Sequence, residues 1–155
     1  MNAERYLHLA EVTRGLRKAD LVLKNVNVIN VFTEEVYPAD IAMCDGIIVG
    51  VGEYSGVEEV DLTGLYASPG LIDSHLHLES AMVTPREFVM LAAQRGTTTF
   101  IVDPHESANV AGTAGIDYIL DQTEDVPANV YVMLPSCVPA SPIDDNGAVL
   151  TVEDL

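Results

Sequence analysis

Pro69-Gly70-Leu71-Ile72-Asp73-Ser74-His75-Leu76-His77-Leu78-Glu79-Ser80 is the stretch that decides the fold of this chain. A short apolar run follows a Pro-Gly turn and ends in a His-x-His pair. Because side chains alternate between the two faces of an extended strand, His75 and His77 are predicted to point the same way. Two imidazoles spaced in this way can hold one transition metal such as Zn, Mn or Fe, and a metal with open coordination positions activates water near neutral pH. The stretch therefore predicts a strand that ends in two metal ligands.

The sequence that follows alternates strand and helix. This succession, with one strand roughly every 30 residues, is typical of βαβ units in a parallel sheet. Thr84 and Glu87 flank Pro85 as a capping box, so the first helix is predicted to begin there. The residues expected on the inner face of that helix are Phe88, Leu91, Ala92 and Arg95. The other predicted elements are strands over Leu71–Leu78, Thr97–Val102 and Val130–Leu134, and a helix over Thr113–Gln122.

A polar cluster lies at the C-terminal end of each of these strands. The clusters are the His75 and His77 pair, Asp103-Pro104-His105-Glu106, and Ser136-Cys137. In a parallel α/β barrel, chemistry lies at the carboxyl ends of the strands, so we expect these clusters to meet at one rim. Pro104 favours an extended Asp103, which predicts a loop there.

The neighbouring polar residues have more than one interpretation. Asp73 and Glu79 could orient the imidazoles, or they could cap a turn and face solvent. His105 and Glu106 could contact a substrate, a metal or the metal ligands, or they could only hold a loop together. Asn109 is a candidate helix cap or a substrate-binding amide. The residues alone leave these alternatives open.

The N-terminal third of the chain has a different pattern. Residues 3–18 have the apolar spacing of an amphipathic helix. Strands are predicted over Asp20–Val31, Glu35–Met43 and Ile47–Val51, and Asp45-Gly46 is a strong hairpin signal. This region is predicted to be a small β-rich domain without a catalytic cluster.

Charge and composition exclude several kinds of partner. The net charge is −17, and five of the seven basic residues lie in the first 24 positions. From Asn25 onward there are 21 acidic residues and only two basic ones, Arg86 and Arg95. Neither nucleic acid nor anionic membrane is an expected partner of such a surface. Cys44 and Cys137 show no partner spacing and suit a reducing compartment better than a disulfide framework. No apolar run approaches the length of a membrane span. A cytoplasmic protein is the expectation.

The longer sequence around the histidines resembles that of one known family. The matching segments are His75-Leu-His77-Leu-Glu79-Ser80-Ala-Met-Val-Thr84-Pro85, then Gly96-Thr-Thr-Thr, Asp103-Pro-His105-Glu106-Ser-Ala-Asn109 and Leu134-Pro-Ser-Cys-Val-Pro-Ala. They are similar to the adenine deaminase branch of the amidohydrolase superfamily. The resemblance implies an α/β fold: the start of a (β/α)8 TIM-like metallohydrolase barrel preceded by a small sandwich-like β-rich domain. The implied organisation is an N-terminal helix over 1–18, the small domain over 19–66, and the first three barrel strands with two helices over 67–155.

The resemblance also implies a reaction and a cofactor. The reaction is hydrolytic removal of the 6-amino group of adenine, which gives hypoxanthine and ammonia. The cofactor is a divalent transition metal, binuclear, with Mn or Fe favoured and Zn a further candidate. His75 and His77 would bind metal, and five residues would line the substrate pocket or support the ligands: Asp73, Glu79, Asp103, His105 and Glu106.

The resemblance places the remaining catalytic groups on strands beyond Leu155. We therefore expect this piece alone to be inactive, and we expect its partners to be a small purine substrate and either the rest of the barrel or further copies of the protein. One alternative is an amidohydrolase that acts on another cyclic amide or amino-purine. The other is a truncated, non-catalytic module that only associates with a partner.

Overall fold

The computed structural model describes residues 2–155, and the chain divides after Pro69 into two compact units. The described part of the first unit contains α1 (Ala3–Thr13), β1 (Ala19–Asn30), β2 (Glu35–Cys44), β3 (Ile47–Gly52), β4 (Gly56–Asp61) and β5 (Tyr66–Ala67). The strands form one sheet in the order β3-β2-β1-β4, and β5 also pairs with β1. β1 is antiparallel to β2 and parallel to β4 and β5. No helix within residues 2–155 is long and apolar enough to cross a lipid bilayer.

Helix α1 is shorter than the sequence predicted. The Asn2 side chain accepts a hydrogen bond from the Arg5 N–H (2.8 Å) and caps the start, but the helix ends at Thr13, so the prediction is wrong for residues 14–18. Gly15 takes a left-handed φ of +70°, and its N–H donates to the Val12 carbonyl while the Leu16 N–H donates to the Glu11 carbonyl. This pair of bonds is a Schellman motif, which ends the helix at a glycine.

The β-rich prediction is confirmed for β1, β2 and β3, but it did not include β4 and β5. Asp45 and Gly46 both have positive φ (+52° and +73°), as a type I′ turn requires, and they join the antiparallel β2 and β3. β4 is an edge strand whose side chains after Gly56 are exposed and largely acidic, so it lacks the apolar alternation by which strands are recognised.

Two apolar clusters stabilise the first unit. One joins α1 to the sheet through Val12, Ala19, Val22, Ala42 and Cys44, and the other contains Val26, Val28 and Ile41. Beside them Asp40, only 7% exposed, pairs with Lys24. The first cluster thus packs α1 against the sheet, and Cys44 is one of its buried residues.

The second unit contains the predicted βαβαβ succession. Its elements are β6 (Leu71–Leu76), a 3₁₀ helix (Leu78–Ala81), α2 (Pro85–Ala93), β7 (Thr97–Val102), α3 (His105–Ala111), α4 (Thr113–Thr123) and β8 (Asn129–Val132). The sheet order is β6-β7-β8, with all pairs parallel, which confirms the α/β prediction. The buried core is Leu78, Val89, Phe100, Val102 and Ile119.

Several details of this unit differ from the prediction. The first strand ends at Leu76 instead of Leu78, and the third ends at Val132 instead of Leu134. In α2, the Thr84 cap is confirmed, but Leu91 is 58% exposed and Val89 is fully buried in its place. The inner face of α2 is therefore turned slightly toward Val89, because Phe88, Val89 and Ala92 are the residues that pack on the β7 core.

Candidate metal centre

Parallel pairing of β6 and β7 places two predicted polar clusters side by side. Leu76 and Val102 are partners at the ends of the two strands, and the Asp103 N–H donates to the Leu76 carbonyl (2.9 Å). The residues that follow, His77 and Asp103, leave the sheet at the same edge. The rings of His75 and His77 are 5.1 Å apart between centroids, so both histidines lie at this edge.

Three side chains at this edge form a candidate metal centre. His75, His77 and Asp103 each offer one ligand atom, and these atoms lie within 4.8 Å of one another. His77 and Asp103 are half-buried, whereas His75 is exposed. Two imidazole nitrogens and a carboxylate oxygen are a donor set that Zn, Mn and Fe accept. The structure therefore brings the predicted metal ligands together with one residue that was predicted for the pocket.

The tautomer of His77 suits metal binding. His77 Nδ1 lies 2.9 Å from the Asp103 carbonyl oxygen. A carbonyl can only accept, so Nδ1 carries the proton and the lone pair of Nε2 is left free for a metal. A backbone group at the end of β7 thus orients a ligand that follows β6.

His105 joins the same cluster from the start of α3. Its Nδ1 is 3.1 Å from Asp103 Oδ2, and its ring stands edge-on to His77 with centroids 4.7 Å apart. The loop predicted over Asp103–Glu106 is wrong from His105 onward, because α3 begins there, directly after Pro104. Proline is compatible with the residues that open a helix, where its missing N–H is not needed.

Glu79 connects the segments that follow β6 and β7. Its Oε1 accepts hydrogen bonds from the backbone N–H groups of Glu106 (3.1 Å) and Ser107 (3.2 Å), in the first turn of α3. Within the described residues its Oε2 is buried and has no hydrogen-bond partner. The Ser80 hydroxyl donates to the Glu106 carboxylate, a role that nothing in the sequence singled out. These contacts hold α3, and with it His105, against the segment that carries the His pair.

The other candidate residues lie in simpler surroundings. Asp73 Oδ1 accepts from the backbone N–H of His75 (3.3 Å). Asn109 lies inside α3 instead of capping a helix, and within residues 2–155 its buried Oδ1 has no partner. Ser136 and Cys137 are exposed and follow the end of β8. The centre is thus built from His75, His77 and Asp103 with His105 beside it, and Glu79 and Ser80 hold α3 in place.

The sequence of this chain is similar to those of known proteins. The amidohydrolase family model matches residues 66–154. An adenine deaminase from Desulfitobacterium hafniense (strain Y51) is 58% identical over all of this chain, which covers 27% of that protein. An adenine deaminase from Clostridium acetobutylicum is 50% identical over 94% of this chain and 25% of that protein. The chain thus spans about a quarter of the length of these curated relatives.

A solved structure shares the fold at low sequence identity. The N-acyl-D-glutamate deacylase from Bordetella bronchiseptica, complexed with zinc and a phosphonate inhibitor, matches with a TM-score of 0.58 and 20% identity. The match covers 77% of this chain and 30% of the deacylase. At this identity the likeness concerns the fold, in which the deacylase binds a divalent metal.

Proposed function

The chain belongs to the amidohydrolase family, and we propose that it supplies the first metal ligands of an adenine deaminase. The whole protein would hydrolyse adenine to hypoxanthine and ammonia. Similarity to adenine deaminases along the full length of the chain supports this substrate. The observation that carries the proposal is the convergence of His75, His77 and Asp103 at the carboxyl edge of parallel strands.

The residues present fit a divalent metal. His77 keeps its Nε2 lone pair free because its Nδ1 proton is donated to the Asp103 carbonyl, and His75 and Asp103 offer further donors within 4.8 Å. We propose Mn or Fe in a binuclear centre, with Zn as a further candidate. Such a metal, when bound, acts as a Lewis acid and activates water as the nucleophile for attack on an amino-purine carbon.

The protein's own residues would hold and orient the parts of this site. His77 is fixed by the Asp103 backbone, and His105 is fixed by the Asp103 carboxylate. Glu79 holds the first turn of α3, which keeps His105 and Glu106 near the His pair. We propose that Asp73, Glu79, Asp103, His105 and Glu106 support the ligands or line the purine pocket.

The remaining parts of the proposal concern the whole protein. The three parallel strands would be the first of a (β/α)8 barrel, and the β-rich unit would be part of a sandwich-like domain. The rest of the barrel, or further copies of the protein, would complete the site. The acidic composition agrees with a cytoplasmic enzyme that binds a small purine.

Metal binding by the chain tests the ligand assignment. Binding of Mn²⁺ is measured by electron paramagnetic resonance, in which the signal of the free ion disappears when the ion binds. His77→Ala should weaken binding by more than roughly 100-fold, since it removes a ligand whose supporting partners alone are each worth about 10–100-fold. Asp117→Ala, which changes an exposed acidic side chain of α4, is the control and should bind Mn²⁺ normally. Equal binding by the wild-type and His77→Ala chains would contradict the assignment.

Substrate choice is tested in the whole protein. Ammonia release from adenine is compared with ammonia release from another amino-purine and with hydrolysis of a hydantoin. Adenine should be the preferred substrate, and His77→Ala should abolish its turnover. Preference for the hydantoin would favour an amidohydrolase of cyclic amides, and a metal-free protein with no turnover would favour a non-catalytic module.

A further inference from the structure

Three metal-ligating side chains converge in the first unit, and a fourth, His8, lies next to one of them. They are His8 on α1, Asp20 at the start of β1, and Cys44 and Asp45 at the β2–β3 hairpin. Ligand atoms of Asp20, Cys44 and Asp45 lie within 4.8 Å of one another. His8 Nε2 lies 3.4 Å from Cys44 Sγ. None of these residues belongs to the metal centre of the second unit.

The backbone fixes these positions. Cys44 is the last residue of β2 and is 1% exposed, in the cluster that joins α1 to the sheet. Asp45 is held in the turn by its N–H, which donates to Asp20 Oδ2 (2.8 Å). His8 and Asp45 line the same open cleft of about 370 Å³. Asp20, Cys44 and Asp45 are therefore grouped in the absence of a ligand, and His8 lies beside Cys44.

We propose that His8, Asp20, Cys44 and Asp45 form a structural zinc site. One thiolate sulfur, one imidazole nitrogen and two carboxylate oxygens are all common zinc donors, and four donors complete the tetrahedral shell of a structural site. Manganese and magnesium prefer oxygen-rich shells without thiolate, so the sulfur favours zinc. Zinc there would tie α1 and the β2–β3 hairpin to the start of β1.

The charges around Cys44 favour a cation. The Asp20 and Asp45 carboxylates place two negative groups within 4.8 Å of the Cys44 sulfur. Arg5 Nε pairs with Asp45 Oδ2 (3.0 Å), which leaves the other carboxylate oxygen available. Two carboxylates and a thiolate balance one zinc ion and Arg5.

Zinc binding requires two proton movements. Arg17 lies 3.3 Å from His8 Nδ1, and because a guanidinium can only donate, Nδ1 accepts and Nε2 carries the proton. On binding, the Cys44 thiol gives its proton to solvent and the His8 proton moves from Nε2 to Nδ1. Arg17 then gives up this contact and keeps its ion pair with Glu11 (2.8 Å).

The test uses Co²⁺ as a spectroscopic substitute for Zn²⁺ in the full chain. A thiolate ligand gives an intense near-ultraviolet sulfur-to-cobalt charge-transfer band, which imidazole and carboxylate ligands do not give. We expect this band, together with the visible bands of tetrahedral cobalt, and we expect Zn²⁺ to displace both. Cys44→Ser should remove the charge-transfer band. The matched control Cys137→Ser changes the exposed cysteine, and His77→Ala changes the second unit; both should retain the band.

A second variant guards against misfolding of Cys44→Ser. Asp20→Asn changes an exposed side chain and should keep the charge-transfer band while weakening Co²⁺ binding by roughly 10- to 100-fold. Circular dichroism monitors the fold of each variant. Absence of the band from the wild-type chain would overturn the proposal, as would a band that survives Cys44→Ser or disappears with Cys137→Ser. Unchanged affinity in Asp20→Asn would also count against it.

Discussion

Asp40 is a nearly buried carboxylate whose charge is compensated on several sides. It pairs with Lys24 and accepts backbone hydrogen bonds from the N–H groups of Asn25 (3.1 Å) and Tyr54 (3.2 Å). Burial raises the pKa of Asp40, but these hydrogen bonds, led by Lys24, outweigh it and lower the pKa overall. The hydrogen bond to Asp40 raises the pKa of Lys24 despite partial desolvation. Both groups are therefore held in their charged forms.

These directions predict how pH affects the first unit. Folding lowers the pKa of Asp40. Its contribution to the free energy of unfolding is therefore complete above the pKa of the unfolded state, about 4, and is lost as pH falls through the pKa of the folded state. Because folding raises the pKa of Lys24, its contribution is complete below about 10.4 and is lost as pH rises through the folded value. Asp40→Asn should lower the free energy of unfolding by roughly 2–3 kcal/mol near neutral pH. Chemical denaturation at several pH values measures this difference.

The matched control for this prediction is Glu35→Gln. Glu35 is exposed on the same strand, β2, and its replacement removes one negative charge without touching Lys24. The cost of Asp40→Asn should shrink below about pH 4, where the wild-type carboxyl is itself protonated. A cost that stays constant down to low pH would show that the pair contributes no pH dependence, and an equal cost for Glu35→Gln would show that the effect is not specific to the pair.

At the residue scale, the spacing of residues along the sequence predicted which side chains share a face, but it could not predict their atomic contacts. The alternation of a strand was enough to predict that His75 and His77 would share a face. Their grouping with Asp103 depends on the pairing of β6 with β7, a long-range contact that one sequence does not record. The proton position on His77 depends on a backbone carbonyl of that neighbouring strand, so no side-chain pattern could have indicated it.

Among the elements, α3 and α4 are held close by a glycine. Gly115 in α4 is buried, and a Cβ at this position would overlap the carbonyl group of Ser107 in α3. Glycine costs about 1 kcal/mol relative to alanine inside a helix. The contact between the two helices therefore depends on a residue that is unfavourable for α4 by itself.

Gly115→Ala should destabilise the second unit in spite of the better helix propensity of alanine. Overpacking costs about 1–3 kcal/mol and propensity returns about 1, so a net loss of up to roughly 2 kcal/mol is expected. Thermal unfolding measures the loss, and hydrogen exchange at Ser107 should be faster because α3 must shift. Asp117→Ala, at an exposed position of the same helix, should be neutral or slightly stabilising. A stabilised Gly115→Ala protein would mean that the helices separate freely.

Element boundaries were predicted where a local signal was strong. The Thr84 cap and the Asp45-Gly46 turn act through neighbouring residues, and both were predicted correctly. Helix α3 was missed because Pro104 was interpreted only as a strand breaker, whereas its helix is supported by Glu79, 27 residues before Glu106. The end of α1 was missed although Gly15 marked it.

At the scale of the whole molecule, each of the two units has its own buried apolar clusters among the residues that the structure describes. The clusters that contain Val22 and Val26 lie in the first unit, and the cluster around Phe100 lies in the second. Fold class was predictable because the change from hairpin signals to βαβ succession is strong at Ala67. The pairing of β1 with β4 and β5 was not, because it joins strands with little apolar pattern.

Separate cores predict separate responses to core mutations. Phe100→Ala should cost the second unit about 3–5 kcal/mol, and Val22→Ala should cost the first unit roughly 1.5–3 kcal/mol. Hydrogen exchange followed by mass spectrometry should show lost protection in β6–β8 for the former and in β1–β2 for the latter. Equal loss of protection in both units after either substitution would show that they unfold as one.

The outer strands of the second sheet also affect how the protein behaves at high concentration. Within residues 2–155, β6 and β8 each pair only with β7, so in this piece of the protein one side of each strand has no strand partner. Such edges attract other strands, whereas a net charge of −17 keeps copies apart. Salt at about 0.1 M shortens the range of that repulsion to about 10 Å. The colloidal stability of the protein should thus be greatest in dilute buffer near neutral pH and least near its isoelectric point of about 4.2.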